Sequence, residues 1–209
     1  MKMAPPTVDQ ATPLETVNRQ VIRSEYRKKR QALSVQQQST AANNLLKTCL
    51  ASSTLAKAKT IACYIANDGE IDPIAIIDYC WQQGKCVLLP VLHPFSKGHL
   101  LFIKYHRNSP TRKNGYGIKE PIITSTNLCI LANIELILTP LVAFDAMGNR
   151  LGMGGGYYDR TLAPIRRDSL HTQLIGLAHS CQQTDMLLTD SWDIPLDAIA
   201  TPDQFFSVS

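Results

Sequence analysis

The 209-residue sequence lacks the patterns that mark several large classes of protein. Its six cysteines form no CxxC pair, and its five histidines show neither HExxH nor zinc-finger spacing, so no zinc site is predicted. The first residues, MKMAPPTVDQATP, contain no apolar stretch, and no apolar run approaches the ~18 residues that a membrane span needs. We therefore expect neither secretion nor membrane insertion, but a cytoplasmic protein with free thiols.

Strong charge is also lacking. Charged residues make up 18% of the chain, and the formal net charge is only +4. Dedicated nucleic-acid binders concentrate far more basic charge, whereas a mild positive excess suits small anionic ligands. With 44% hydrophobic residues, the chain is long enough to bury one core. The composition predicts a single domain that binds small anions and not nucleic acid.

Helical and strand periodicities alternate along the chain, which predicts an α/β layered fold. The predicted helices are residues 17–32, 36–51 and 73–83, followed later by a short helix ended by Pro164. The predicted strands are residues 60–66, 85–92, 100–105 and 173–179, with one or two more strands at 135–145 and residues 106–133 mostly loop. Continuous apolar strands such as IELIL are typical of a mostly parallel sheet with helices on both faces. We expect a Rossmann-like single domain whose ligands collect at the carboxyl ends of the strands.

Residues 140–162, PLVAFDAMGNRLGMGGGYYDRTL, hold five of the chain's eleven glycines, at positions 148, 152, 154, 155 and 156. Glycines let consecutive backbone amides point at an anion, and the helix expected to begin near Tyr157 favours negative charge at its amino end. A Walker A loop would need Lys and Ser or Thr after the last glycine, and a dinucleotide fingerprint would need glycine at position 157. The segment therefore predicts an anion site of neither common type, with a tight connection as the alternative.

Four arginines lie on one face of the first predicted helix. Arg19, Arg23, Arg27 and Arg30 are spaced by 4, 4 and 3 residues, beside an apolar stripe. The spacing alone favours a solvated basic face on an amphipathic helix.

Three segments carry a resemblance to a known family. They are RSEYRKKRQALS at 23–34, NDGEID at 67–72 and RLGMGGGYYDR at 150–160, with LLPVL at 88–92 and YGIKEP at 116–121 between them. In this order they closely resemble 5-formyltetrahydrofolate cyclo-ligase, also called 5,10-methenyltetrahydrofolate synthetase. The resemblance runs from about Arg19 to Phe206. It implies a cyclo-ligase domain at 19–209 behind a flexible extension at 1–18.

The resemblance implies a ligase of one-carbon metabolism, which would be a cytoplasmic monomer. It would convert 5-formyltetrahydrofolate to 5,10-methenyltetrahydrofolate with ATP and Mg²⁺, through a phosphorylated formyl group (an iminium phosphate), and release ADP and phosphate. Its partners would be small molecules only: ATP, and the folate with or without a polyglutamate tail.

The site residues also follow from the resemblance. The implied ATP-binding residues are Arg19, Arg23, Arg150, Leu151, Gly152, Met153, Gly154, Gly155, Gly156, Tyr157 and Tyr158. The implied folate-binding residues are Ile65, Glu70, Tyr116, Met153, Gly154, Gly155, Gly156 and Tyr157. Arg150 and Tyr157 would be catalytic. Asp159 and Asp193 would bind Mg²⁺, with Asp197 as the alternative to Asp193.

Other interpretations stay open for several of these residues. Asp159 would stabilise its helix as a first-turn carboxylate in any case, and Tyr116 has the alternative of an ordinary surface aromatic. Glu70 has no evident structural role in the sequence, so it would be free for a ligand. Arg19 stands where the family carries a lysine. Gly155 stands where some members of the family carry a lysine.

Two other functions compete. One is a sugar-phosphate isomerase or acyl-transferase relative that uses Glu70 as a base. The other is a non-catalytic folate-binding module, which the two missing lysines would favour.

Overall fold

The computed structural model describes residues 13–208, with side chains from residue 18 onward. Residues 1–12, most of the predicted flexible extension, lie outside the described residues, so that extension stays a prediction. The helices are α1 Pro13–Gln31, α2 Val35–Ala51, α3 Ser53–Lys57, α4 Ile74–Gln82 and α5 Tyr157–Arg167, with 3-10 turns at Leu131–Asn133 and Ser180–Gln182. The strands are β1 Thr60–Ala62, β2 Cys86–Leu92, β3 Leu100–Lys104, β4 Thr111–Lys113, β5 Lys119–Pro121, β6 Leu128–Cys129, β7 Leu136–Pro140, β8 Ala143–Phe144, β9 Arg150–Leu151, β10 Gln173–Leu177, β11 Ala198–Ala200 and β12 Phe205–Ser207.

Eight strands form the central sheet in the order β12-β11-β10-β7-β1-β2-β3-β6. The five strands from β11 to β2 in this order are all parallel. The strands β12, β3 and β6 pair antiparallel at the two edges. Two small ribbons, β4-β5 and β8-β9, lie outside this sheet. The predicted α/β fold with a mostly parallel sheet is confirmed.

The sheet is apolar on both faces because helices cover both. In β7, Leu136 and Leu138 pack with residues of α2 and α4, whereas Ile137 between them packs with Leu162 and Ile165 of α5. Alternate residues of a strand point to opposite faces, so a strand buried on both sides has to be apolar throughout. This arrangement accounts for the IELIL run.

Helix α1 packs against the carboxyl-terminal side of the sheet rather than along its faces. Its Tyr26 is buried with Val142, Ala143, Leu151 and Leu187 around the β8-β9 ribbon. This packing carries the arginines of α1 to the edge of the sheet where the parallel strands end.

The secondary structure refines one prediction and corrects another. Residues 106–133 are mostly loop, as predicted, but they also hold three short strands and a 3-10 turn. The helix after the glycines is not ended by Pro164 but continues to Arg167. Proline removes one hydrogen-bond donor from a helix, and here Leu162 and Ile165, both buried in the core, hold the helix together on either side of it. Among the described residues, no helix has the length and apolar character needed to cross a bilayer.

Candidate functional site

A cavity of about 810 Å³ opens where the parallel strands β1, β2 and β7 end. Its floor is apolar and includes Leu89, Pro140 and Leu141. Its walls come from α1, the turn after β1, the glycine loop at 152–156 and the loop at 190–193. Loops that follow parallel strands meet at one edge of the sheet, so the NDGEID turn and the glycine loop face each other, as predicted from the sequence.

The glycine loop leads directly into α5. Gly154 and Gly156 have φ values of +94° and +64°, a region that residues with a side chain rarely adopt. Gly156 is the N-cap of α5, and none of the described side chains caps the first turn of this helix. Its amino end therefore presents uncapped backbone amides beside the cavity, an arrangement that favours an anion.

Arg150, the first residue of β9, extends into the same region. Its side chain is only 3% exposed, and Nη2 donates to Asp159 Oδ1 at 2.5 Å. The guanidinium lies 5.6 Å from the ring centre of Tyr158. Among the described residues, no acceptor reaches its buried Nε. Because buried donors are nearly always paired, this N–H indicates room for a ligand acceptor.

Two arginines of α1, Arg19 and Arg23, line the cavity. Arg19 Nη1 donates to Asp190 Oδ2 at 2.6 Å and to Asp193 Oδ2 at 2.7 Å. Arg23 Nε donates to the carbonyl oxygen of Gly152 at 2.9 Å, and no carboxylate among the described side chains pairs with it. Burial and the neighbouring charge of Arg19 lower the pKa of Arg23. Both effects would be relieved by an anion bound beside Arg23.

The other two arginines of α1 bind the NDGEID turn. Arg27 and Arg30 both donate to Asp68 Oδ2, at 2.8 and 2.9 Å. The hydrogen bonds from Arg27 and from Arg30 lower the pKa of Asp68 to about 2. Asp68, the second residue of this turn, has a φ of +52°. The expected solvated basic face of α1 is therefore wrong for Arg19 and Arg30, which are buried. Long-range carboxylates and carbonyls compensate their charge, and helical spacing carries no information about such partners.

Glu70 lies at the opposite end of the cavity from Arg19. Its side chain is 13% exposed, and Oε1 is 4.0 Å from Arg30 Nη2. Burial raises the pKa of Glu70 to about 7, against the opposing charge of Arg30. Oε2 accepts the backbone N–H of Asn67 at 3.0 Å, so Glu70 does close its own turn. The absence of a structural role for Glu70 was a wrong expectation, since one oxygen serves the turn while the carboxyl still lines the cavity.

The remaining predicted folate residues lie along the same cavity. Ile65, Tyr116 and Tyr157 all line it. The hydroxyl groups of Tyr116 and Tyr157 are 3.0 Å apart, and their rings meet edge to face with centres 6.2 Å apart. Tyr116 is thus joined to the glycine loop, although it is 63% exposed.

Of all the predicted site residues, only Leu151 does not line the cavity, because its side chain is buried in the core beside Tyr26.

The predicted metal ligands Asp159 and Asp193 line one cavity. Asp197 lies elsewhere, where it pairs with Arg166 at 2.7 Å and accepts the N–H of Leu174 at 2.7 Å. This position argues against Asp197 as the alternative to Asp193 for binding Mg²⁺. Among the described residues, no three His, Cys, Asp or Glu side chains group to hold a metal ion. The two aspartates therefore fit Mg²⁺ only where phosphate oxygens and waters complete its shell, which is how Mg²⁺ is usually bound.

Sequence reasoning missed several residues of this site. Asp190 and Trp192 line the cavity, and Asp190 shares Arg19 with Asp193. Asp190 also donates its backbone N–H to Asp193 Oδ2 at 2.9 Å. The spacing of three residues between the two aspartates is the one signal that could have predicted this turn.

Comparison with known proteins shows the family of this chain. Residues 15–202 match the 5-formyltetrahydrofolate cyclo-ligase family. The chain is 45% identical over 183 residues to the 5-formyltetrahydrofolate cyclo-ligase of Haemophilus influenzae, covering 88% of this chain and 97% of that protein. It is 42% identical over 176 residues to the Escherichia coli K12 protein of the same name, covering 84% and 96%. The NMR structure of Aquifex aeolicus 5,10-methenyltetrahydrofolate synthetase is 26% identical and superposes with a TM-score of 0.77, over 91% of this chain and 92% of the other. The chain therefore belongs to the 5-formyltetrahydrofolate cyclo-ligase family.

Proposed function

We propose that this protein cyclises 5-formyltetrahydrofolate to 5,10-methenyltetrahydrofolate in a reaction that requires ATP and Mg²⁺ and releases ADP and phosphate. Family membership supports the cyclo-ligase activity itself. The observation that carries the ATP-dependent route is one cavity with two chemically different ends. Arginines and an uncapped helix start form one end, and a buried carboxyl group forms the other.

The cation-rich end suits the triphosphate. Arg23 has no carboxylate partner among the described side chains, Arg150 has an unpaired Nε, and the glycine loop offers backbone amides between them. Arginine forks and helix amino ends are the usual partners of phosphate oxygens. Arg19, paired with two aspartates, would add a third cation at this end.

The carboxyl end suits the pterin. A pterin presents an amino group and ring N–H donors in a row, which an ionised Glu70 can accept. Ile65 would contribute apolar contact. Tyr116 and Tyr157 would bound the path between the two ends, since their joined hydroxyl groups lie between the β4-β5 ribbon and the glycine loop.

The chemistry needs no side-chain nucleophile. The formyl oxygen on N5 is a poor leaving group, so it attacks the γ-phosphorus of ATP; an O–P bond forms and the bond to ADP breaks. N10 then attacks the formyl carbon of the iminium phosphate, the ring closes, N10 loses its proton, and phosphate leaves. The contribution of the protein is position and charge, with the formyl oxygen held in line and Arg150 and the loop amides stabilising the phosphoryl group.

Asp159 and Asp193 are the residues that would hold Mg²⁺. Each is already hydrogen-bonded to an arginine of the phosphate end, Asp159 to Arg150 and Asp193 to Arg19. The carboxylates that would bind Mg²⁺ therefore lie next to the arginines that would bind the phosphates. When bound, the ion would supply charge neutralisation on the phosphate oxygens.

The test is formation of the methenyl product by the purified protein, followed by its absorbance. We expect product only when 5-formyltetrahydrofolate, ATP and Mg²⁺ are all present, with one ADP released for each product. Omission of ATP, chelation of Mg²⁺ and a non-hydrolysable ATP analogue are the controls. Product without ATP would contradict the phosphoryl-transfer route. Folate binding without any product would favour the non-catalytic module, and a reaction of sugar phosphates that depends on Glu70 would favour the isomerase.

A further inference from the structure

Arg30 is a completely buried cation behind the folate end of the cavity, 0% exposed. Its Nε donates to the carbonyl of Asp68 at 2.9 Å, and Nη1 donates to the carbonyl of Leu141 at 3.0 Å. Nη2 donates to Asp68 Oδ2 at 2.9 Å and approaches the sulfur of Met153 at 3.7 Å. The same Nη2 is 4.0 Å from Glu70 Oε1. One guanidinium therefore contacts the NDGEID turn, the end of β7 and the glycine loop.

The neighbouring Arg27 also binds Asp68. Arg27 grips Asp68 with two hydrogen bonds, Nε to Oδ2 at 2.8 Å and Nη2 to Oδ1 at 3.1 Å, and its side chain is 42% exposed. It forms no ion pair with Glu70 among the described contacts. Two arginines thus share the single negative charge of Asp68. A fully buried cation needs more compensation than half a carboxylate, and Glu70 is the other carboxyl group within reach.

We propose that Arg30 is a positioning residue that keeps Glu70 in its ionised, hydrogen-bond-accepting form, and thereby sets the pH range over which the pterin is bound. This inference rests on the proposed role of Glu70 as the pterin acceptor.

The charged and titratable groups around Glu70 come from four elements. Asp68 and the N–H of Asn67 belong to its own turn, Arg30 comes from α1, Tyr64 follows β1 and Tyr158 lies in α5. Burial and Asp68 raise the pKa of Glu70, Arg30 and the Asn67 N–H lower it, and it settles at about 7.

The other neighbours of this pair are uncharged at neutral pH. Burial, together with the charge of Glu70, raises the pKa of both Tyr64 and Tyr158 above the ordinary value of a tyrosine. Burial and the charge of Arg30 lower the pKa of His179 to about 4, so this imidazole is neutral. Arg30 is therefore the cation that opposes protonation of Glu70.

The sign of the pH effect follows. With a pKa of about 7, Glu70 is a carboxylate above that pH and a carboxylic acid below it, so folate affinity should fall as the pH falls through 7. Loss of the charge at position 30 removes a favourable interaction with the carboxylate and raises the pKa of Glu70 further. The loss of affinity should then begin at a higher pH. An opposite charge at this range moves a pKa by about one unit or more.

The experiment measures binding of 5-formyltetrahydrofolate to the full chain by calorimetry, without ATP, from about pH 6 to 9, a range that brackets the shift expected from one charge. We compare the wild type with Arg30→Met, Arg30→Lys and Arg27→Met. In Arg30→Met the midpoint of the pH dependence should rise by about one unit or more. Arg30→Lys keeps the charge and should stay near the wild type, and Arg27→Met should leave the midpoint unchanged.

The contrary outcomes are distinct. An unchanged midpoint in Arg30→Met, or an equal shift in Arg27→Met, would overturn the inference and leave Arg30 as a support for the turn. A shift in Arg30→Lys as large as in Arg30→Met would show that charge is not the cause. If Arg30→Met does not fold, the pH dependence of folate binding is measured in Glu70→Gln instead. A midpoint equal to that of the wild type would exclude Glu70 as the titrating group and overturn the inference. A wild type that binds no folate at any pH would overturn the proposed function as well, whereas pH-dependent binding without the variant shift overturns the inference alone.

Discussion

The two ends of the cavity are built on different principles. The glycine end uses backbone conformation, with Gly154 and Gly156 at positive φ and an uncapped helix start. The Glu70 end uses one buried carboxyl group, set by its desolvation and by Arg30. A site for a multiply charged, flexible anion is served by many amides and cations, whereas a flat heterocycle is recognised by one well-placed acceptor. Substitutions of the loop glycines should therefore act mainly through shape, and substitutions of Glu70 mainly through charge.

Asp159→Asn should have the largest effect and sharpens the comparison at the glycine end. The amide keeps the shape and an acceptor for Arg150 but weakens any hold on Mg²⁺, so turnover should fall by about 100-fold or more, at the upper end of the effects seen around metal sites. Thermal stability should fall far less. Asp168→Asn, at the other end of α5 and paired with Arg167, is the matched control and should leave turnover unchanged. Equal losses of turnover and stability in Asp159→Asn would assign Asp159 to helix capping alone.

Glu70→Gln tests the charge principle at the other end. The substitution keeps the shape and one acceptor oxygen but removes the charge, so folate binding should weaken by about 1 to 3 kcal/mol. ATP affinity should hardly change, because Glu70 lies away from the arginines of the glycine end. Calorimetry with each ligand separately measures both values. Weaker ATP binding with intact folate binding would reverse our assignment of the two ends.

Gly154→Val tests the shape principle. A β-branched residue at a φ of +94° is strained, and its Cβ would lie 3.5 Å from the guanidinium carbon of Arg23. We expect ATP affinity to fall by roughly 10-fold, which corresponds to about 1.4 kcal/mol. Gly84→Val is the control, since Gly84 has a φ of +67° with no atom within 4 Å of the added Cβ. The control should lose stability but not ATP binding, and unchanged ATP affinity in Gly154→Val would remove the loop from the nucleotide site.

Tyr116→Phe should have the smallest effect, because it removes only the contact between the hydroxyl groups of Tyr116 and Tyr157, between the two ends of the cavity. The ring remains while the 3.0 Å contact with the hydroxyl of Tyr157 is lost. A single neutral hydrogen bond contributes about 1 kcal/mol, and less where water can replace it. We expect a few-fold rise in the KM for folate with little change in kcat. An unaltered KM would make Tyr116 an ordinary surface aromatic.

Much of the fold could be predicted from the sequence. The strand and helix periodicities locate the elements of the central sheet, and the glycines with a following helical pattern locate the loop that lines the cavity. The prediction of secondary structure fails where tertiary packing outweighs a local preference of the sequence. Pro164 ends a helix by local preference, yet the buried side chains on either side of it keep α5 intact to Arg167.

The candidate site could be predicted only in part. Motif order located the glycine loop and the NDGEID turn, and all but one of the predicted site residues line the cavity. Leu151 was placed with its loop neighbours, but its side chain points into the core. Which of these residues bind ATP, folate or Mg²⁺ stays a prediction that the variants above address.

The sequence by itself determined the alternation of the elements, the family and the glycine loop, because periodicity, motif spacing and the need for positive φ are local properties of the chain. Only the tertiary structure decided that Arg19 pairs with Asp193, 174 residues away, and that Asp197 points elsewhere. It also decided that Arg30 is buried against Glu70 and that Glu70 closes its own turn. The physical reason is that the energy of a charge depends on its burial and on its partners. Both are set by elements that meet only when the chain has folded.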